Sequence, residues 1–122
     1  MNLLTLSTFP FDKPRHGGQQ RLASIVQKYK SLGHTVQSIG VLGSRIYEHQ
    51  TGFLGYPPDD VVAEWVDNPL FMEDVAIGRL FASADVYFSL LANQVAVIPD
   101  VIHVELPWLF DFAIRYRKLV GK

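Results

Sequence analysis

The stretch Asp12-Lys13-Pro14-Arg15-His16-Gly17-Gly18-Gln19-Gln20-Arg21 decides how this chain folds. It follows the apolar run Leu3-Leu4-Thr5-Leu6 and opens a helix-period pattern at Leu22, Ile25, Val26, Tyr29 and Leu32. Strand, glycine pair and amphipathic helix in that order place two residues without Cβ at a helix N-terminus, where backbone N–H groups lack intrahelical partners. Those donors and the positive end of the helix dipole suit an anion, most often a phosphate. The plainer alternative is that the glycines only shape a tight turn.

Working outward, residues 3–7 form a continuous apolar run of the kind found in a sheet covered on both faces. Pro10 and Pro14 keep the next segment out of helix until Gly17. The helix spans about 18–32 and stops at Gly33, which suits a left-handed C-cap. Residues 34–41, with Val36, Ile39 and Val41, read as a second strand. A strand, a helix and a strand within about forty residues imply a right-handed parallel βαβ unit.

The middle is less regular. Gly40, Gly43, Gly52 and Gly55 and the pair Pro57-Pro58 predict a long connection, a flexible insertion over about 43–69, with 43–60 the most mobile part. Asp59 or Asp60 can cap a short helical turn through Trp65. Asn68-Pro69 resembles an N-cap with proline at the first helical position. Ala76, Leu80, Ala84, Tyr87, Phe88 and Leu91 then predict one largely buried helix over about 70–95. Val101-Ile102-His103-Val104 is the third strand, with Glu105 at its carboxyl end. Pro107 starts a last helix that turns Leu109, Phe112, Ala113, Tyr116 and Leu119 inward. The expected fold is one α/β domain over 1–122, a Rossmann-like three-layer sandwich with a small parallel sheet and the first strand central. Three strands make a small sheet for such a fold, so the chain is read as the leading piece of a larger domain.

Composition removes several classes. The chain has 122 residues, 48% hydrophobic and 19% charged, which fits one rather apolar globular domain. A net charge of −1 supplies no basic field for nucleic acid. Cysteine is absent, so disulfides and thiolate metal sites are excluded, in keeping with a reducing cytoplasm. The apolar stretches fall short of a membrane span, leaving at most peripheral membrane contact. The histidines, at 16, 34, 49 and 103, include no i, i+4 pair for zinc. No metal, cofactor or catalytic residue is assigned. Pairable sheet edges and the apolar composition predict self-association.

The pattern of an apolar strand, a proline-bearing loop with Arg15-His16-Gly17-Gly18, Arg21 on a helix, and the ending Lys30-Ser31-Leu32-Gly33-His34 resembles the opening of a GT-B glycosyltransferase of family 4. Pro99-Asp100-Val101-Ile102-His103-Val104-Glu105-Leu106-Pro107-Trp108 is similar to a later strand of the same family. The two blocks stand in the right order about eighty residues apart. The resemblance implies the acceptor-side, N-terminal domain of a sugar-nucleotide-dependent enzyme, incomplete here and inactive without a donor-binding domain. It further implies metal-independent chemistry, a sugar nucleotide, and a glycan or lipid acceptor in the intact enzyme. Gly17, Gly18 and Arg21 would then approach the donor phosphates. Arg15, His16, Glu105 and Trp108 would face the acceptor.

Each candidate has a plain reading beside the functional one. Arg15 and Arg21 offer guanidinium forks for phosphate or carboxylate, or lie in solvent. His16 is a donor to a phosphate or sugar hydroxyl, or a bystander. Glu105 sits where ligands gather in open α/β sheets and could serve as a hydrogen-bond acceptor or general base. His103 shares its side of the strand and reads as a core histidine bonded to backbone. Trp108 either stacks on a sugar or simply packs. Asp12, Glu73, Asp74 and Asp85 read as solvated or capping carboxylates. The competing functions are a non-catalytic α/β module for a phosphorylated ligand and a protein-docking piece.

Overall fold

The apolar run at the N-terminus becomes the central strand of a parallel sheet. The computed structural model describes residues 1–66 and 73–121. Strands β1 (Asn2–Ser7), β2 (Thr35–Val41), β3 (Phe53–Leu54) and β4 (Val101–Val104) pair in the order β3-β2-β1-β4, every pair parallel. The helices are α1 (Gly17–Ser31), α2 (Asp59–Trp65), α3 (Glu73–Ser83), α4 (Asp85–Ala92) and α5 (Phe110–Val120), with a 3₁₀ turn at Pro107–Leu109. The fold is α/β with a small all-parallel sheet, and β1 is central as its continuous apolar pattern requires.

The side-chain period of two sends Leu4 and Leu6 of β1 to one face of the sheet and Leu3, Thr5 and Ser7 to the other. Leu4 and Leu6, with Ile39 and Val41 of β2, meet Ile77, Leu80 and Phe81 of α3, Phe88 and Leu91 of α4, and Phe112 and Tyr116 of α5. The other core gathers Leu22 and Val26 of α1 with Phe9, Phe11, Leu42 and Phe53. Each fully buried Leu or Phe contributes about 1.5–3 kcal/mol by leaving water. The α1 face of the sheet is polar at its centre. Thr5 is in register with Ser38 on one side and His103 on the other, and its Oγ1 donates to Ser38 Oγ at 2.8 Å.

Both ends of α1 are built from local sequence. His16 is the N-cap: its Nδ1 accepts from Gln19 N–H at 3.1 Å, and Gln19 Oε1 accepts from the backbone N–H of His16 and Arg15. Gln19 is itself buried and donates to the Pro10 carbonyl, locking the proline loop onto the helix start. At the other end Gly33 has φ +89°. Its N–H bonds to the Lys30 carbonyl and that of His34 to the Tyr29 carbonyl, a Schellman closure.

Two expectations need correction. The connection after β2 carries a fourth strand, β3, whose Phe53 is 3% exposed, ahead of the short helix through Trp65 that the sequence predicts, α2, with Val62 buried. β3 pairs with β2 and so ties this part of the connection to the sheet. Pro58 stands at the N-cap of α2, and Asp59 and Asp60 occupy its first turn. The expected start at Asn68-Pro69 lies outside the described residues.

The second correction concerns the long helix expected over 70–95. It is broken at Ala84, whose ψ is 117°, and the two halves meet at 92°. Arg115 of α5 holds the corner. Its guanidinium donates to the Ala82 carbonyl at 3.0 Å and to Asp85 Oδ1 at 2.7 Å, and lies 4.0 Å from the Phe88 ring centroid. A cation at the end of α3 favours the negative pole of that helix. Among the described residues no single helix is long and apolar enough to cross a membrane, and the bent α3–α4 pair meets that test only when its halves are taken together.

The chain runs outward from β1 through β2 to β3, then returns to place β4 on the other side of β1. The helix after β1 packs on one face, and the helix after β4 packs on the other. The gap between the carboxyl ends of β1 and β4 is therefore a topological switch point, where open α/β sheets bind ligands.

Candidate functional site

Glu105 directly follows β4 at this switch point, its N–H still bonded to the Leu6 carbonyl of β1. Its side chain is 3% exposed, a burial that a carboxylate tolerates only with partners. Arg21 Nη1, from the second turn of α1, donates to Oε1. His103 Nε2 lies 2.9 Å from Oε2, and Tyr29 Oη lies 3.2 Å from His103 Nδ1. Both carboxylate oxygens are engaged by protein, while the Arg21 side chain stays 62% exposed. The buried carboxylate thus holds a guanidinium whose remaining N–H groups are open to a ligand.

The residue after Glu105 is strained. Leu106 has φ 64° and ψ 159°, in territory that glycine occupies and other residues avoid, at about 1–3 kcal/mol. This turn ends β4, and Pro107 begins the 3₁₀ turn at once.

The first turn of α1 supplies the second element of the site. Gln19 N–H is spent on His16 and Gln20 N–H on the His16 carbonyl. The N–H groups of Gly17 and Gly18 have no protein partner among the described residues. A Cβ on Gly17 would meet nothing within 4 Å; one on Gly18 would meet the His16 ring at 3.2 Å. Gly17 is therefore not required by packing, whereas Gly18 makes room for the cap.

The structure brings Arg21 and Glu105 together, keeps Gly17 and Gly18 one turn away on the same helix, and leaves Arg15, His16 and Trp108 elsewhere. His16 does not offer a free ring. Nδ1 accepts from Gln19 N–H, so in the neutral ring Nε2 carries the proton and donates to Tyr47 Oη at 3.2 Å. Arg15 is exposed and lies 3.8 Å from Glu48, which also pairs with Lys13 at 3.4 Å. These residues line a separate cleft of about 260 Å³ between the proline loop and Tyr47. Burial pushes the Tyr47 hydroxyl pKa up, and the Asp74 charge adds to this. Trp108 belongs to the 3₁₀ turn, its carbonyl set against Gly78 of α3 and its neighbour Leu109 in the α3–α5 core. The set expected to face an acceptor is thus divided among three places.

Two members of the site escaped sequence reasoning. His103 is bonded to side chains, not to backbone as expected, and Tyr29 read only as an apolar helix position. The available signal was the two-residue spacing of His103 and Glu105, set against Arg21 and Tyr29 two helical turns apart. Asp85 caps no helix with its side chain and instead pairs with Arg115. Among the described residues no group of three or more His, Asp or Glu is arranged to hold a metal ion. Comparison with family models, with curated proteins and with solved structures yields no significant match.

Proposed function

We propose that this chain is the acceptor-side domain of a sugar-nucleotide-dependent glycosyltransferase, without turnover unless joined to a donor-binding domain. The single observation that carries the reading is the Arg21–Glu105 pair at the switch point, one turn along α1 from the open N–H groups of Gly17 and Gly18. In this reading the donor diphosphate lies on those two N–H groups and on the free edge of the Arg21 guanidinium. Each charge-assisted bond contributes about 1.5–3 kcal/mol before ordering costs. Glu105, buried with both oxygens engaged, fixes Arg21 rather than presenting a carboxylate to acceptor hydroxyls. A glycan or lipid acceptor would approach along the carboxyl end of β4. Cytoplasmic residence and contact with a membrane surface when the acceptor is a lipid follow from the same reading.

The test is a titration of isotope-labelled protein with uridine diphosphate, then with a methyl glycoside. Amide shifts at Gly17, Gly18 and Arg21 with a dissociation constant on the order of millimolar, and a second set near Glu105 on adding the glycoside, support the reading. A response to the diphosphate alone supports a module for a phosphorylated ligand. Silence at all three amides overturns both.

A second reading rests on the other open edge. Beside β4, Val101, Phe110 and Ile114 are 43%, 53% and 40% exposed along a groove of about 550 Å³. Docking of a second copy there would cover the unpaired strand edge. Sedimentation of the wild type and of Ile114→Glu tests it: a monomer for both at high concentration removes this reading.

A further inference from the structure

Glu105 accepts from two directions, and an ionised carboxylate has no proton to give. Its Oε2 therefore requires a proton on His103 Nε2, 2.9 Å away. In the neutral ring Nδ1 is then bare, and the only polarity open to the 3.2 Å contact with Tyr29 is Oη–H donating to Nδ1. We propose that Tyr29 and His103 are positioning residues for the Arg21–Glu105 pair: two donor paths leave α1, one from Tyr29 through His103 and one directly from Arg21, and converge on the Glu105 carboxylate at the end of β4. Glu105 selects the imidazole tautomer, Tyr29 orients the ring through Nδ1, the ring orients the Glu105 carboxylate, and the carboxylate fixes Arg21. Arg21 and Tyr29 lie on the same helix two turns apart, so the chain closes a loop and clamps α1 across the β4 end of the sheet. No buried side-chain N or O within it lacks a partner among the described residues.

The chain has a chemical signature that packing alone would not give. In Glu105→Gln the amide keeps one acceptor oxygen and gains an NH₂ group. If that oxygen stays with Arg21, the NH₂ faces His103 Nε2, and the ring must move its proton to Nδ1. Tyr29 then has to accept instead of donate, which its hydroxyl can do. In Tyr29→Phe the ring loses this partner without any change in the core volume.

The ligand arm of this inference rests on the proposed function; the tautomer arm does not. The experiment records His103 ring nitrogen shifts in the wild type, Tyr29→Phe and Glu105→Gln, and measures affinity for inorganic pyrophosphate in these and in His103→Gln and His103→Leu. The expected tautomer is Nε2–H in the wild type and Nδ1–H in Glu105→Gln. A wild-type ring with its proton on Nδ1, or no change in Glu105→Gln, overturns the proposal. Pyrophosphate affinity should fall roughly 2- to 10-fold in His103→Leu, the cost of ordering an arginine that is no longer held. His103→Gln, whose amide can still donate to Glu105, should recover most of it. Equal affinity in His103→Leu and wild type overturns the positioning role. If wild type binds no pyrophosphate while the tautomers behave as expected, the functional reading fails and the donor chain stands.

Discussion

Arg21 and Glu105 lie 84 positions apart in sequence and form an ion pair between the second turn of α1 and the end of β4. The pair is asymmetric, with an exposed guanidinium on a buried carboxylate. Arg21→Ala should therefore cost about 1–2 kcal/mol, below the 3–5 kcal/mol of a fully buried broken pair, because water can reach the vacated side. Glu105→Ala should cost more, since it also strips the partner from His103. Urea denaturation of both single variants and the double variant measures the coupling; additive losses would show that the pair is not an energetic unit.

Close backbone approaches make a second prediction. A Cβ at Gly40 would lie 1.9 Å from the Ser7 carbonyl oxygen, and one at Gly78 2.0 Å from that of Trp108. Gly40→Ala and Gly78→Ala should each lose about 2–3 kcal/mol or more, because backbone on a packed sheet and helix cannot yield. Gly17→Ala should be neutral or slightly stabilising. Thermal melts of the three variants give the comparison, and equal melting temperatures would contradict these contacts.

Arg115 should matter more than its ion-pair partner. Asp85 is 88% exposed at its side chain, so its removal should cost less than about 0.5 kcal/mol. Arg115→Ala also removes a bond to the Ala82 carbonyl and the contact with Phe88, about 1–2 kcal/mol together. Chemical denaturation of Asp85→Ala and Arg115→Ala decides this; the reverse order would mean that the ion pair, not the ring and carbonyl, holds the corner.

Alkaline pH should weaken the fold. Burial raises the hydroxyl pKa of Tyr116, with Arg117 opposing, and that of Tyr47, with Asp74 reinforcing. The folded state then keeps these protons where the unfolded chain has begun to lose them. Stability should be level up to the ordinary tyrosine value near pH 10 and fall above it as the pH climbs toward the raised folded values. Tyr116→Phe should flatten that fall in denaturation measured between about pH 8 and 11. An unchanged slope would remove Tyr116 as its source.

Much of this architecture was legible because it is local. The β1–α1–β2 unit follows from an apolar run, a glycine turn and a helix period closed by Gly33. The break at Ala84 was not legible, since alanine carries no cap and the group that holds the corner, Arg115, comes thirty residues later. β3 escaped because two residues show no alternation. At the site, Glu105 and Arg21 were readable one at a time as a strand-end carboxylate and a helix-start cation. Their pairing depends on β4 returning beside β1, which no local pattern encodes. His16 shows the opposite failure: a histidine before two glycines looks like a ligand, yet the cap it makes with Gln19 consumes it.

The most direct test of the phosphate site is Gly17→Pro. Proline is favoured at the first helical position, and the extended His16 before it, at φ −114° and ψ 169°, accepts a following proline. The substitution deletes one open N–H and leaves the helix in place. Titration of wild type and Gly17→Pro with uridine diphosphate, followed by the Gly18 and Arg21 amides, should show affinity falling about tenfold or more with the lost bond. Equal affinity in the two proteins, with the helix intact, would contradict the account and leave the glycines as a turn.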